Sequence, residues 1–236
     1  MWPLIAATLL GASPSDTVAR AQRVHGSDTL KHAHVVFSFR GTRYEMDRDQ
    51  GQYVYTSLSN DKRITLTNSG VTLTVSGRPI PMTDNAAQGA AETVNSVVYF
   101  ASLPLALSDP AVHLADAGLE TVRSQDYERV RVTFTEQDGG ADHDDVFMYW
   151  FRVDTGTMDY FAYSYRRDGG GIRFRVTTAA QLVDGMRFQD YDNYQTKVLS
   201  TPLDSLPRLW AAGKLEKLSE IKTEDVCVIT AKRSCR

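Results

Sequence analysis

The chain has 236 residues, 42% of them hydrophobic and 23% charged, which suits one large antiparallel domain with a real core. A formal net charge of −3 offers no excess positive potential to a phosphate backbone, so nucleic acid is excluded as the expected partner. The two cysteines, Cys227 and Cys235, are too few for a zinc site and leave both a terminal disulfide and two free thiols open.

Residues 1–12 are an apolar run ending in small residues ahead of a polar stretch, the pattern of the end of a secretory signal without its basic leading region. The run is shorter than the about 20 residues a membrane-spanning helix needs, so no transmembrane segment is expected. A periplasmic or otherwise exported protein follows from this reading. The alternative is an apolar first strand or helical turn of a cytosolic protein.

Residues 16–31 have helical spacing in Val18, Ala21 and Val24, with Asp16 as candidate N-cap and His25-Gly26 as an interruption suited to a left-handed helix end. The period then becomes two. Val35, Phe37 and Phe39 alternate with His34, Val36, Ser38 and Arg40, and runs at 44–48, 53–58, 63–68 and 71–76 follow, joined by turns such as Asn60-Asp61 and Asn68-Ser69-Gly70. A meander of five short strands is expected.

From 84 to 107 the helical period returns and is expected to end near Pro104; residues 97–107 carry no charge and should be buried against the sheet. Strand patterns resume at 119–123, 128–137, 145–153, 158–167, 172–182 and 186–195, with turns at 138–140, 154–156, 168–171 and 184–185. An amphipathic stretch at 205–212, a charged linker at 214–224 and a short apolar run at 226–229 close the chain.

The expected fold class is α+β, a curved antiparallel sheet or incomplete β-barrel closed by helices on its concave face. The expected organisation is a signal or apolar segment at 1–15, a half-barrel domain at 16–204, and a helical stretch and tail at 205–236.

Several local features carry a resemblance. His25-Gly26 follows the first helix, Asn68-Ser69-Gly70 precedes a strand, and Phe151-Arg152-Val153-Asp154-Thr155-Gly156-Thr157-Met158 forms a hairpin with an Asp-x-x-Thr turn. With the order of elements over residues 16–200, these resemble the LolA-like superfamily of periplasmic lipoprotein carriers. Asn95-Ser96-Val97-Val98-Tyr99-Phe100 and Phe188-Gln189-Asp190-Tyr191-Asp192-Asn193-Tyr194 resemble an uncharacterised exported bacterial family within it. The resemblance implies a cavity that receives acyl chains, and no catalytic residues.

Candidate chemistry elsewhere is thin. Asp142-His143-Asp144-Asp145 is the densest set of metal-ligand types, yet only alternate residues of a strand share a face, so His143 and Asp145 alone could converge. Asp190 and Asp192 could divide acid and base roles, but nothing else marks a sugar cleft. No Gly-x-Ser-x-Gly elbow is present, and Gly169-Gly170-Gly171 leads into a strand rather than a helix. Arg173-Phe174-Arg175 reads as a solvated strand face.

The aromatics are more informative. Phe147, Tyr149 and Phe151 share one face of a strand, and Phe161, Tyr163 and Tyr165 share a face of the next. Tyr99, Phe100, Leu103, Phe147, Tyr149, Phe151, Phe161 and Tyr163 are therefore the candidate cavity lining for a lipid or acyl chain, or for a lipidated protein, with core packing as the alternative. No catalytic residue, metal or cofactor is expected. Two other functions stay open: a metal-dependent hydrolase built on His143 and nearby carboxylates, and a structural envelope protein with a filled core.

Overall fold

The computed structural model describes residues 12–135, 144–166, 169–230 and 233–235. The apolar run at 1–11, the turn at 138–140, Asp142, His143 and Asp168 lie outside the described residues.

The first helix, α1 (Pro14–Val24), starts one turn earlier than its apolar spacing suggests. Ser13 rather than Asp16 is the N-cap: its Oγ accepts the Asp16 N–H at 3.1 Å, and Pro14 fills the first-turn position where a missing N–H costs nothing. Val18 and Ala21 point into the core. His25 ends the helix and Gly26 takes a left-handed turn (φ 71°) into α2 (Ser27–Leu30).

Among the described residues, fourteen strands form two antiparallel sheets of seven. The first sheet runs, edge to edge, β14 (Glu224–Ile229), β1 (His34–Phe39), β2 (Thr42–Asp49), β3 (Gln52–Ser59), β4 (Lys62–Thr67), β5 (Gly70–Val75) and β6 (Arg78–Pro79). The second runs β13 (Glu216–Ile221), β12 (Met186–Gln195), β11 (Gly171–Val183), β10 (Met158–Tyr165), β9 (Val146–Arg152), β8 (Gln125–Phe134) and β7 (Val112–Val122). Neither sheet closes into a barrel. This is the open antiparallel architecture with few helices that the period changes along the chain predict.

The strands that periodicity passes over are those with weak alternation. β7 is bulged, its register shifting between Asp116 and Leu119 around Gly118 (φ 77°), so its first half lacks a clean period. The stretch read as a charged linker is β13, an edge strand whose lysines and glutamates suit the exposed side of a sheet. β14 pairs with β1, His34 opposite Ile229, and is joined to β13 through Lys222 and Thr223. The chain thus steps from one sheet to the other at this seam.

The helix α3 (Asp84–Ala101) is capped by Thr83, whose hydroxyl accepts the Ala86 N–H at 3.4 Å. It lies across β3, β4 and β5, burying Val94 and Val98 with Phe37, Tyr44, Met46, Ile64 and Leu66. Past its end, Leu103, Leu105 and Leu107 are buried, as the uncharged run predicts. The centre of the second sheet is covered on both faces. Its inner face meets α1 and the end of α3, and its outer face packs Trp150, Tyr160 and Phe174 against Leu203, Leu206 and Trp210 from the segment containing α4 (Leu206–Ala211). Double coverage makes the centre of β9 continuously buried instead of alternating.

Cys227 and Cys235 are joined in a disulfide, with their Cα atoms 5.9 Å apart, which resolves the choice the sequence left open. The bond pins the end of the chain to β14.

Candidate functional site: a cleft at the seam between the sheets

The aromatic faces of β9 and β10 form one surface because the register places Tyr149 opposite Phe161 and Phe147 opposite Tyr163. Rings stack along and across the strands: Tyr149 on Phe161 at 5.7 Å, Phe147 on Tyr163 at 5.1 Å, and Phe100 from α3 on both Phe161 and Tyr163 at 5.6 Å. Tyr149, Phe151 and Phe161 have no exposed surface, and Leu103 and Phe147 are buried beside them. The Tyr99 and Tyr149 hydroxyls hydrogen-bond each other at 3.1 Å, and burial pushes the Tyr99 hydroxyl up to about 12 and that of Tyr149 well above its usual value.

At one end this surface opens. A cleft of about 370 Å³ lies at the seam, near the lower end of the ~300–1,000 Å³ range of ligand pockets. Phe37 and Phe39 from β1 form one wall, and Val97, Phe100 and Ala101 from α3 another. Tyr163, Tyr191 and Ile221 line the side belonging to the second sheet, and Thr223 stands where β13 hands over to β14. Of the eight candidate lining residues, Phe100 and Tyr163 border the cleft; Tyr99, Leu103, Phe147, Tyr149, Phe151 and Phe161 pack behind it in one cluster.

The seam is held by polar contacts around Thr223. Its N–H donates to Asp190 Oδ1 at 2.9 Å, and its carbonyl accepts Gln181 Nε2 at 2.6 Å. Asp190 is therefore committed to the backbone. Asp192 pairs with Lys217 Nζ at 2.7 Å and accepts the Tyr194 hydroxyl at 3.2 Å, so both carboxylates of this strand have structural partners.

Arg175 departs most from its expected place. The alternation Arg173-Phe174-Arg175 suggests a solvated face, but Phe174 fills the outer cluster of the doubly covered sheet, which turns both arginines inward. Arg175 is 8% exposed, borders the cleft, and holds its guanidinium 4.1 Å from the Phe100 ring centre. Arg173 donates to the Tyr165 hydroxyl at 2.6 Å. A polar side chain between strands whose other faces are apolar was the available signal, readable only once outer coverage is known.

No group of three or more His, Cys, Asp or Glu side chains that could hold a metal occurs among the described residues, and His143 lies outside them. Asp144 is placed 3.5 Å from Arg166 Nη1.

Against known families, the model of a family of unknown function (DUF6503) matches residues 23–223. The chain belongs to this family. No curated protein matches it. Among solved structures, the DUF6503 chain is similar to a DUF1329 family protein from Desulfovibrio piger, with a TM-score of 0.51 and 12% identity over 78% of this chain and 87% of that one. The two share a fold. A LolA superfamily protein from Nitrosomonas europaea is also similar, with a TM-score of 0.49 and 9% identity over 80% of this chain and 88% of that one. No described helix is long and apolar enough to cross a membrane.

Proposed function

We propose that the protein is an exported binding protein that holds the apolar chain of a lipid or lipidated partner in the seam cleft. The observation that carries this reading is the cleft itself: aromatic and aliphatic walls from β1, α3 and the second sheet converge on open space instead of packing shut. Phe100 and Tyr163 act as the wall, while Tyr99, Leu103, Phe147, Tyr149, Phe151 and Phe161 form the rigid backing that fixes its shape.

Burial alone is a sufficient driving force. At about 0.8 kcal/mol per methylene, a chain of about ten methylenes returns about 8 kcal/mol before the costs of association and ordering. No covalent step is required. The disulfide between Cys227 and Cys235 is consistent with residence in an oxidising compartment such as the periplasm.

The test is native mass spectrometry of the purified protein, followed by organic extraction and identification of what is released. A stoichiometric acyl-chain compound, lost in Val97→Glu because that substitution sets a carboxylate against the apolar wall, is the expected result. A protein that purifies empty and takes up no added fatty acid or phospholipid would instead favour a structural envelope protein with a filled core.

A further inference from the structure

Arg175 carries a buried charge that no described residue pairs with as a counter-ion. Among the described residues its one hydrogen bond runs from Nη2 to the Tyr163 hydroxyl at 3.1 Å, and no carboxylate lies within ion-pair distance. Its Nε is buried without a partner. The rings of Phe100, Phe161 and Tyr163 lie 4.1, 5.3 and 5.6 Å from the guanidinium carbon and attract it through their π faces, but they do not satisfy an in-plane N–H. Buried charges are ordinarily paired, because the desolvation cost is otherwise unmatched.

A second unpaired polar atom lies next to it. Asn193 stands directly opposite Arg175 in the β11–β12 register, and its Oδ1 is buried without a partner while Nδ2 donates to Ser219 Oγ at 3.3 Å. The serine hydroxyl can donate as well as accept, so the amide can be turned over without losing that bond, which puts an N–H where the unpaired Oδ1 now stands. Both residues border the cleft. Its described lining includes two arginines, Arg40 and Arg175, and no Asp or Glu.

We propose that Arg175 and Asn193 form the head subsite of the cleft and recognise a carboxylate, so that the ligand is an acyl chain ending in a free carboxylate. The proposal rests on the reading of the cleft as an apolar-ligand site. Arg40 is exposed and donates to Ser219 Oγ, so the buried charge to be balanced is that of Arg175 alone, which fits a carboxylate better than a phosphate monoester carrying about −1.5 to −2 at neutral pH. The planar guanidinium edge at Nε and a turned Asn193 amide supply the donors, and Tyr163, already bonded to Arg175, holds the fork in place.

The experiment compares cis-parinaric acid with its methyl ester by fluorescence titration at neutral pH, in the wild-type protein and in Arg175→Met and Asn193→Leu. The acid is expected to bind the wild type at least about tenfold more tightly than the ester, the scale of one charge-assisted contact. That ratio should fall to near one in Arg175→Met, with ester binding retained, and should shrink in Asn193→Leu. Equal affinity of acid and ester for the wild type overturns the head subsite and leaves the apolar cleft standing. A ratio that survives in Arg175→Met removes Arg175 from the role. Binding of neither compound overturns the reading of the cleft itself. If Arg175→Met fails to fold, the wild-type comparison still decides whether the cleft prefers a carboxylate, and an unchanged ratio in Asn193→Leu overturns the placement of the head at this pair.

Discussion

His25 Nε2 accepts the backbone N–H of Met158 at 3.2 Å, tying the end of α1 to the start of β10 across 133 positions of sequence. The bond needs the neutral ring. Burial, reinforced by the charge of Arg187, lowers the His25 pKa from 6.5 to about 3. Because the unfolded chain binds the proton more readily, the stability contributed by neutral His25 is complete above pH 6.5 and is lost as the pH falls toward about 3. The expected slope is about 1.4 kcal/mol per pH unit within that window. Urea unfolding across the window should show a steeper loss for the wild type than for His25→Gln, and parallel profiles would contradict the assignment.

Gly26 permits no side chain. A Cβ there would stand 2.1 Å from the Gly185 carbonyl oxygen in the β11–β12 turn, and the residue holds φ at +71°. Gly26→Ala is expected to cost more than about 2 kcal/mol, since backbone strain and a backbone clash add. The same change at Gly185, also at positive φ but with nothing near its Cβ, should cost only the conformational part, about 1 kcal/mol. Chemical denaturation of the two variants tests the ordering.

The Tyr99–Tyr149 hydroxyl pair should behave as a unit. Tyr149→Phe leaves the Tyr99 hydroxyl without the partner it has at 3.1 Å, with an expected cost of about 1–2 kcal/mol. The double variant Tyr99→Phe with Tyr149→Phe should cost less than the sum of the two single changes, because no hydroxyl is then stranded. A strictly additive double-mutant cycle would argue against the coupling.

The terminal disulfide closes a short loop of sequence separation 8, for which chain-entropy arguments suggest about 2.5 kcal/mol. Reduction, or Cys227→Ala with Cys235→Ala, is expected to lower the unfolding temperature and to free the pairing of β14 with β1 first. Amide exchange at Val35 and Val228, which face each other in that pairing, is the direct measure.

Much of the scaffold was legible in sequence because it depends on local period and local turn chemistry. Phe147, Tyr149 and Phe151 alternate, as do Phe161, Tyr163 and Tyr165, and the register joins the first two pairs across β9 and β10 as spacing suggests. The helix of residues 84–101 could be read from the spacing of Val94 and Val98. The edge strand β13 was not legible, since Glu216, Lys217 and Glu220 describe a linker as well as they describe a solvent-facing sheet edge. Apolar spacing does not fix the head of α1, because both Ser13 and Asp16 are good caps and the choice follows from where Pro14 can sit.

The cleft belongs to a different level. Nearest-neighbour alternation tells which residues of a strand share a face, and the residues alone were enough for a charge balance that disfavours nucleic acid, an antiparallel framework and an aromatic inner surface. Alternation is silent on which face is inside when a sheet is covered twice. Leu203, Leu206 and Trp210, far along the chain, cover the outer side of β11 and so send Phe174 outward and Arg175 inward, converting an apparently solvated arginine into a buried one. The meeting of Phe39, Phe100, Tyr163 and Ile221 around open space likewise depends on how the two sheets and α3 pack, a long-range outcome that no window of local sequence encodes.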